Sequence, residues 1–279
     1  MSVIIDGNEI CNNIESVVKV EVKNCMIRPS VALIQVGDDA STSYFIEKKE
    51  EACSNVGIYF RLYKFETDTP ELTIINKIKE LNNDEYVNGI IVQLPLPPQY
   101  NEKRLLNCVN NGKDVLGMTD INTGRFVNGK KSLISCPALA VEKVLNDNNI
   151  ELEGKNVVVV GRGKYVGKPI ANLLLNKDAT VTLCHSKTTN LSDYTKNADI
   201  LISACGVPNL IKADMVKDDA IVIDVGMNGF GEKICGDVDF ENVSKKASII
   251  TPIPNGIDQI SNAMLIENIM MCYNSKKAK

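Results

Sequence analysis

Val157-Val158-Val159-Val160-Gly161-Arg162-Gly163-Lys164-Tyr165-Val166-Gly167-Lys168-Pro169 reads as a buried strand, a glycine-rich turn and the start of a helix. An unbroken β-branched run suits a parallel strand covered on both faces. Glycines let the backbone approach a pyrophosphate closely, and the following helix N-terminus offers unpaired N–H groups and a positive dipole end. The spacing G-x-G-x-x-x-G is one residue longer than the usual dinucleotide fingerprint, so a plain tight turn in an α/β domain is the competing reading.

Outward from this turn, strand-like runs alternate with helix-period segments along the whole chain, which is the pattern of βαβ units in an α/β fold. After the turn a helix to about Asn176 is expected, then strands near 180–184, 200–203, 220–224 and 248–251. Before it, strands are expected over 31–36, 59–65 and 90–93, with helices over 43–55 and 70–81. Asn128-Gly129 after Arg125-Phe126-Val127 suggests a hairpin turn, and Pro137 suits the first turn of a helix to about Leu145. The chain of 279 residues suffices for two domains. The expected division is a catalytic domain over 1–137, rejoined by a C-terminal helix over 258–279, and a Rossmann-like dinucleotide-binding domain over 138–257.

Composition narrows the function. The chain is 44% hydrophobic and 24% charged, as in ordinary soluble globular proteins. Its longest apolar run is Ile269 to Tyr273, far short of the ~20 residues of a spanning helix, so neither membrane insertion nor a signal peptide is expected and the location expected is the cytoplasm. The 31 basic and 35 acidic residues are intermixed at a net charge of −4, which does not favour nucleic acid as a partner. Nine cysteines without a C-x-x-C pair, and a single histidine, argue against a disulfide framework and a metal site.

Where a NAD-binding domain usually carries an acid for the ribose 2′-hydroxyl, this chain has Cys184-His185-Ser186-Lys187. Arg162 and Ser186 are candidate ligands of a 2′-phosphate, so NADP is the expected cofactor, with Gly161 and Gly163 beneath its phosphates. His185 is read as a structural residue. Tyr44 and Lys48 lie four apart on one helix face, where an aromatic wall would desolvate the lysine and lower its pKa; a solvated charged face over Lys48-Lys49-Glu50-Glu51 is the alternative.

Read together and in order, distant segments resemble the bifunctional methylenetetrahydrofolate dehydrogenase/cyclohydrolase family over nearly the whole chain. They are Tyr44-Phe45-Ile46-Glu47-Lys48, Gly89-Ile90-Ile91-Val92-Gln93-Leu94-Pro95-Leu96-Pro97, Lys113-Asp114-Val115, and Gly161-Arg162 through Val166-Gly167-Lys168-Pro169. Further on come Cys184-His185-Ser186-Lys187-Thr188, Ala198-Asp199-Ile200 through Gly206, and Ile223-Asp224-Val225-Gly226. The resemblance implies oxidation of 5,10-methylenetetrahydrofolate with NADP and hydrolysis of the methenyl product to 10-formyltetrahydrofolate, in a cleft between two domains. It also implies a homodimer and a place in one-carbon metabolism and purine biosynthesis. Carried over by position, Lys48 handles protons, Tyr44 walls the folate, Gln93 partners the lysine, and Met227 joins Gly161, Arg162, Gly163 and Ser186 at the cofactor.

The chain departs from the family at two folate-facing places. Asp114-Val115-Leu116-Gly117 stands where the family has Asp-Val-Asp-Gly, which removes the pterin-binding acid. A charge-assisted bond of about 1.5–3 kcal/mol would go with it, a tenfold loss or more in folate affinity. Pro254-Asn255-Gly256-Ile257-Asp258-Gln259 replaces Pro-Gly-Gly-Val-Gly-Pro. Asp120 and Asp258 are the candidate replacement carboxylates. These changes keep open two other readings: a dehydrogenase with weak or absent cyclohydrolase activity, and a non-catalytic nucleotide-binding member of the fold.

Overall fold

The structure, a computed structural model, describes residues 2–229 and 234–277. The chain forms two compact units, one of Met1–Cys11 with Ser135–Ser261 and the other of Asn12–Ile134 with Asn262–Lys279. Residues 1–11, expected in the catalytic domain, cluster instead with the dinucleotide-type unit. Strand β1 (Val3–Ile4) pairs in parallel with a strand near residue 250, before helix α1 (Gly7–Lys23) leads away. A pairing so distant in sequence leaves no local pattern to read.

In the unit around residues 12–134, β2 (Ser30–Val36) is central and fully buried, and α2 (Ala40–Val56) crosses from it to β3 (Tyr59–Phe65). The next crossover, α3 (Glu71–Asn83), leads to β4 (Gly89–Val92), giving a parallel sheet of order β3-β2-β4. Helix α3 forms because Ile74, Ile75, Ile78 and Leu81 repeat at helical spacing and bury one face. Each such side chain contributes about 1.5–3 kcal/mol on full burial.

Further along lie the short α4 (Glu102–Asn107) and α5 (Asp120–Val127). The hairpin expected at Asn128-Gly129 is in fact the end of α5. Thr119 caps its start by accepting from Asn122 N, and Gly129 at φ +65° closes its end, with Gly129 N donating to Phe126 O and Lys130 N to Arg125 O. The dipeptide that supplies a left-handed turn in hairpins serves here to stop a helix.

In the other unit, α6 (Cys136–Asp147), with Pro137 in its first turn, precedes β5 (Asn156–Val160), α7 (Gly167–Leu175) and β6 (Thr180–Cys184). After α8 (Leu191–Thr195) come β7 (Ile200–Ser203), β8 (Ile221–Asp224), α9 (Phe240–Val243) and β9 (Ile249–Ile250). The sheet is parallel throughout, in the order β1-β9-β8-β7-β5-β6. The chain steps from β5 to β6 on one side and then to β7 on the other, so β5 and β7 flank a topological switch point, where open α/β sheets bind ligands. Helix α10 (Ile257–Lys277) starts in this unit and continues from Asn262 as part of the other, where Asn268 Nδ2 donates to Val115 O and Ile134 O. Residues 278 and 279 of the expected last helix lie outside the described residues.

Candidate active site

Helix α2 begins because Asp39 accepts from Thr42 N at 3.0 Å, and it stops at Gly57, whose φ is +86°. Its inner face carries the buried Thr42, Ile46, Ala52, Cys53 and Val56, at helical spacing that takes in positions 48 and 49, both half-buried. The Lys49 Nζ lies 3.3 Å from Gln93 Oε1 and 3.3 Å from Phe45 O, and 5.8 Å from the Phe45 ring centroid. Gln93, only 7% exposed just past β4, is fixed by Nε2 donating to Leu94 O at 2.6 Å and by its own N–H to Ile34 O.

Lys48, the lysine expected at this place, sits about 100° further round the helix. Its Nζ donates to Glu51 at 2.8 Å, and that hydrogen bond pushes its pKa up, opposite to the expected desolvation shift. Tyr44, four residues before Lys48, packs edge-on against Phe45 with ring centroids 5.7 Å apart. The hydrogen bond to Gln93 thus comes from Lys49, while Lys48, half-buried like its neighbour, holds Glu51 on the same helix.

Sequence reading also missed two residues of the same unit. Gln35 is 1% exposed and Thr42 is 3% exposed, and Gln35 Nε2 and Thr42 Oγ1 have no hydrogen-bond partner. Gln35 directly follows Ile34, which holds Gln93, and Thr42 shares the stripe of Lys49. Buried polar atoms are nearly always paired, so this is where a ligand or water would be bound. A polar residue interrupting the apolar run of a buried strand was the available signal for Gln35.

Leu116 lies on a loop held from both sides. Asp114 accepts from Met118 N, Thr119 N and Asn122 Nδ2, and Gly117, at φ +64°, would bring a Cβ within 2.7–2.9 Å of the backbone at Leu133 and Ile134. Both candidate replacement carboxylates have local partners. Asp120 begins α5 on the surface, paired with Lys103 Nζ at 3.1 Å. Asp258 turns back on its own loop, accepting from Asn255 N and Gly256 N. Asn255 takes φ +72°, the conformation a glycine would otherwise supply.

In the unit of Ser135–Ser261 the glycine turn is closely packed. Gly161 has φ +115°, and a Cβ there would lie 2.1 Å from Ala204 O; one on Gly167 would lie 1.9 Å from Gly161 O. Gly163 has nothing within 4 Å. The turn is thus a shallow cradle that side chains at 161 or 167 would fill, as a phosphate approaching backbone N–H groups requires. Arg162 and Ser186 are exposed at the carboxyl ends of the neighbouring β5 and β6, and Met227 is half-buried after β8. His185 closes the turn after β6, with Nδ1 accepting from Lys187 N and its backbone N donating to Thr188 Oγ1. This donor set, without a carboxylate at the end of β6, fits a phosphorylated ribose.

Asp224 ends β8, and burial pushes its carboxyl up to about 7 despite backbone donors from Val238, Asp237 and Gly226; the Asp237 charge adds to the rise. An acid with a higher pKa folded than unfolded (about 3.9) holds its proton more tightly in the fold. Its stabilisation is complete below about pH 4 and is lost as pH rises towards 7. The fall in Tm between about pH 4 and pH 7 should therefore be shallower for Asp224→Asn than for wild type; parallel Tm profiles would contradict this.

Comparison with known proteins gives one answer for both units. Residues 5–115 match the catalytic domain of tetrahydrofolate dehydrogenase/cyclohydrolase, and residues 135–277 match its NAD(P)-binding domain. The chain is 43% identical over 275 residues to the bifunctional protein FolD of a Hydrogenobaculum species, covering 98% of this chain and 99% of the relative. The crystal structure of the bifunctional FolD enzyme of Campylobacter jejuni superposes with a TM-score of 0.95 at 39% identity, covering 99% of this chain and 100% of that one. The Trypanosoma brucei FolD enzyme, solved with NADP cofactor and inhibitor, gives a TM-score of 0.96 at 30% identity, covering 100% of this chain and 99% of that one.

Proposed function

Because the chain belongs to the tetrahydrofolate dehydrogenase/cyclohydrolase family, we infer that it oxidises 5,10-methylenetetrahydrofolate with NADP and hydrolyses the methenyl product to 10-formyltetrahydrofolate. The observation that carries this reading for its own residues is the buried Gln93 amide at the carboxyl end of the β2/β4 sheet, reached from the Lys48-Lys49 pair of α2 through Lys49.

In the first step the cofactor supplies a hydride acceptor. The substrate's own ring nitrogen stabilises the cation left on the one-carbon bridge, so no protein nucleophile is needed. The chain's task is to hold the bridge in place and exclude competing water. In the second step Lys48 in its neutral form takes a proton from the water attacking the methenyl carbon, and as an ammonium returns it to the nitrogen that leaves. The second hydroxyl proton then departs as the formyl carbonyl forms, so one proton is released per turnover. Gln93 is the polar partner of the lysine and the substrate, and Tyr44 walls the folate.

The cofactor reading rests on Gly161 and Gly167 as the cradle, with Arg162 and Ser186 as ligands of the 2′-phosphate and Gly163 and Met227 lining the remainder. Initial rates of NADPH and NADH formation from 5,10-methylenetetrahydrofolate test it. The expected result is a kcat/KM at least tenfold higher with NADP, with Arg162→Ala removing most of that preference. Equal rates with the two cofactors would overturn the 2′-phosphate assignment.

The departure at Leu116 removes the pterin-facing acid from its family position, and the local partners of Asp120 and Asp258 support a reading in which neither takes its place. Leu116→Asp should therefore lower the folate KM about tenfold, the equivalent of one charge-assisted hydrogen bond, and leave the NADP KM unchanged. A folate KM that stays the same or rises in a folded variant would show that Leu116 does not face the pterin.

Homodimerisation, a cytoplasmic location and supply of formyl groups to purine biosynthesis complete the reading. Their support is the family membership. Light scattering tests the first, with the mass of two chains expected.

A further inference from the structure

Two short segments built of the same three residue types, Asp224-Val225-Gly226 and Gly236-Asp237-Val238, interlock at the carboxyl end of the dinucleotide-type sheet. A Cβ on Gly226 would lie 2.0–2.2 Å from the Asp237 carboxylate, and one on Gly236 would lie 2.0 Å from Asp224 Oδ2. Each glycine makes room for the other segment's acid. Asp224 accepts from Gly226 N, Asp237 N and Val238 N, and so fixes the segment that carries Asp237.

Asp237 in turn faces the loop that follows β7. Its Oδ2 accepts from Ser203 Oγ at 2.9 Å, Cys205 N at 2.8 Å, Cys205 Sγ at 3.2 Å and Gly206 N at 3.2 Å. Its Oδ1 accepts from Val207 N at 2.9 Å and from Asn228 Nδ2 at 3.0 Å, which ties in the loop after β8. Burial alone would raise this acid, but the donors outweigh it and hold it below the usual carboxylate range. Consecutive N–H groups converging on one centre form an anion nest. Here an internal carboxylate fills that nest, so the amides of residues 205–207 are spent on Asp237 and are withheld from a cofactor phosphate.

The consequence reaches the cofactor turn through Ala204. This residue precedes the clamped amides, its N–H donates to Val160 O at 2.7 Å, and its carbonyl packs against Gly161 at the switch point. We propose that Asp237 is a positioning residue for NADP, clamping the loop of residues 204–207 against the Gly161 turn so that the phosphate cradle is formed before the cofactor arrives. The proposal rests on the cofactor reading above. Preorganisation of this kind raises affinity by removing the cost of ordering the loop during binding.

The test combines calorimetric titration of NADP with hydrogen exchange of the full-length protein in the absence of cofactor. Asp237→Asn keeps the size of the side chain but turns an amide NH2 towards the N–H donors on one side. It should speed exchange at residues 205–207 at least tenfold and raise the NADP Kd about tenfold or more. At saturating NADP kcat should stay within a fewfold of wild type, so the loss falls in KM, whereas general destabilisation would lower both. Ser203→Ala removes one buried donor and should raise Kd about threefold; it carries the test if Asp237→Asn does not fold. An NADP Kd within the error of wild type, in folded Asp237→Asn or else in folded Ser203→Ala, overturns the proposal. A wild-type protein that does not bind NADP would instead overturn the cofactor reading, and the clamp as a cofactor device with it.

Discussion

Lys48→Ala is expected to lose hydrolysis of 5,10-methenyltetrahydrofolate by a factor of about 10²–10⁴, the range typical for removing a positioned general acid–base. Lys49→Ala should stay within about tenfold of wild type. The two lysines are adjacent in sequence and alike in chemistry, so the pair of variants isolates position on the helix. Lys48 stands four residues from Tyr44 in the segment that resembles the family, while Lys49 holds the Gln93 side chain. The Lys48–Glu51 ion pair contributes at most about 1 kcal/mol, so Lys48 gives it up cheaply to a substrate and its loss should leave Tm nearly unchanged. Lys48→Arg should not rescue hydrolysis, because a guanidinium stays protonated and cannot accept the proton of water. The assay is the decay of methenyl absorbance when that compound is supplied directly, without NADP. A loss in Lys48→Ala no larger than that in Lys49→Ala would contradict the assignment.

Gly161→Ala should abolish measurable NADP binding, with a Kd raised at least a hundredfold. The residue holds φ +115°, which alone costs about 1–3 kcal/mol for a residue with a side chain, and the new methyl would sit 2.1 Å from Ala204 O. Neither neighbour can yield cheaply, since the contact is with backbone at the ends of two central strands. Gly163→Ala is the control in the same turn: with nothing within 4 Å of its Cβ, it should bind NADP within about threefold of wild type. Calorimetric titration of both variants decides the point, and similar affinities for the two would remove the cradle from the account.

The fold was legible where the pattern is local and strong. The run 157–160 and the apolar run within β2 are buried on both faces, so their β-branched character had no competing explanation. The candidate site was legible in its segments. Tyr44-Phe45-Ile46-Glu47-Lys48 suggests the right helix, whereas the bond from Lys49 to Gln93 joins α2 to the residue after β4 and has no local pattern to announce it. Asn128-Gly129 misled because hairpins and helix ends need the same left-handed glycine. The Asp120 partner, Lys103, is set by tertiary geometry, whereas Asp258 accepts from the local turn amides of Asn255 and Gly256, a turn that the changed segment 254–259 did not announce. The interlocked Asp224 and Asp237 are each next to or near a glycine in the sequence, but a role for that pairing appears only when the β7 loop is in place.

One chain couples both reactions, with Lys48 expected to serve the second. The direct measurement is the molar ratio of 10-formyltetrahydrofolate to NADPH during initial turnover of 5,10-methylenetetrahydrofolate and NADP. The predicted ratio for wild type is close to one, with little free methenyl compound, while Lys48→Ala should accumulate methenyl compound if it retains oxidation. NADPH formation by wild type with methenyl compound accumulating and decaying no faster than in buffer would contradict the account.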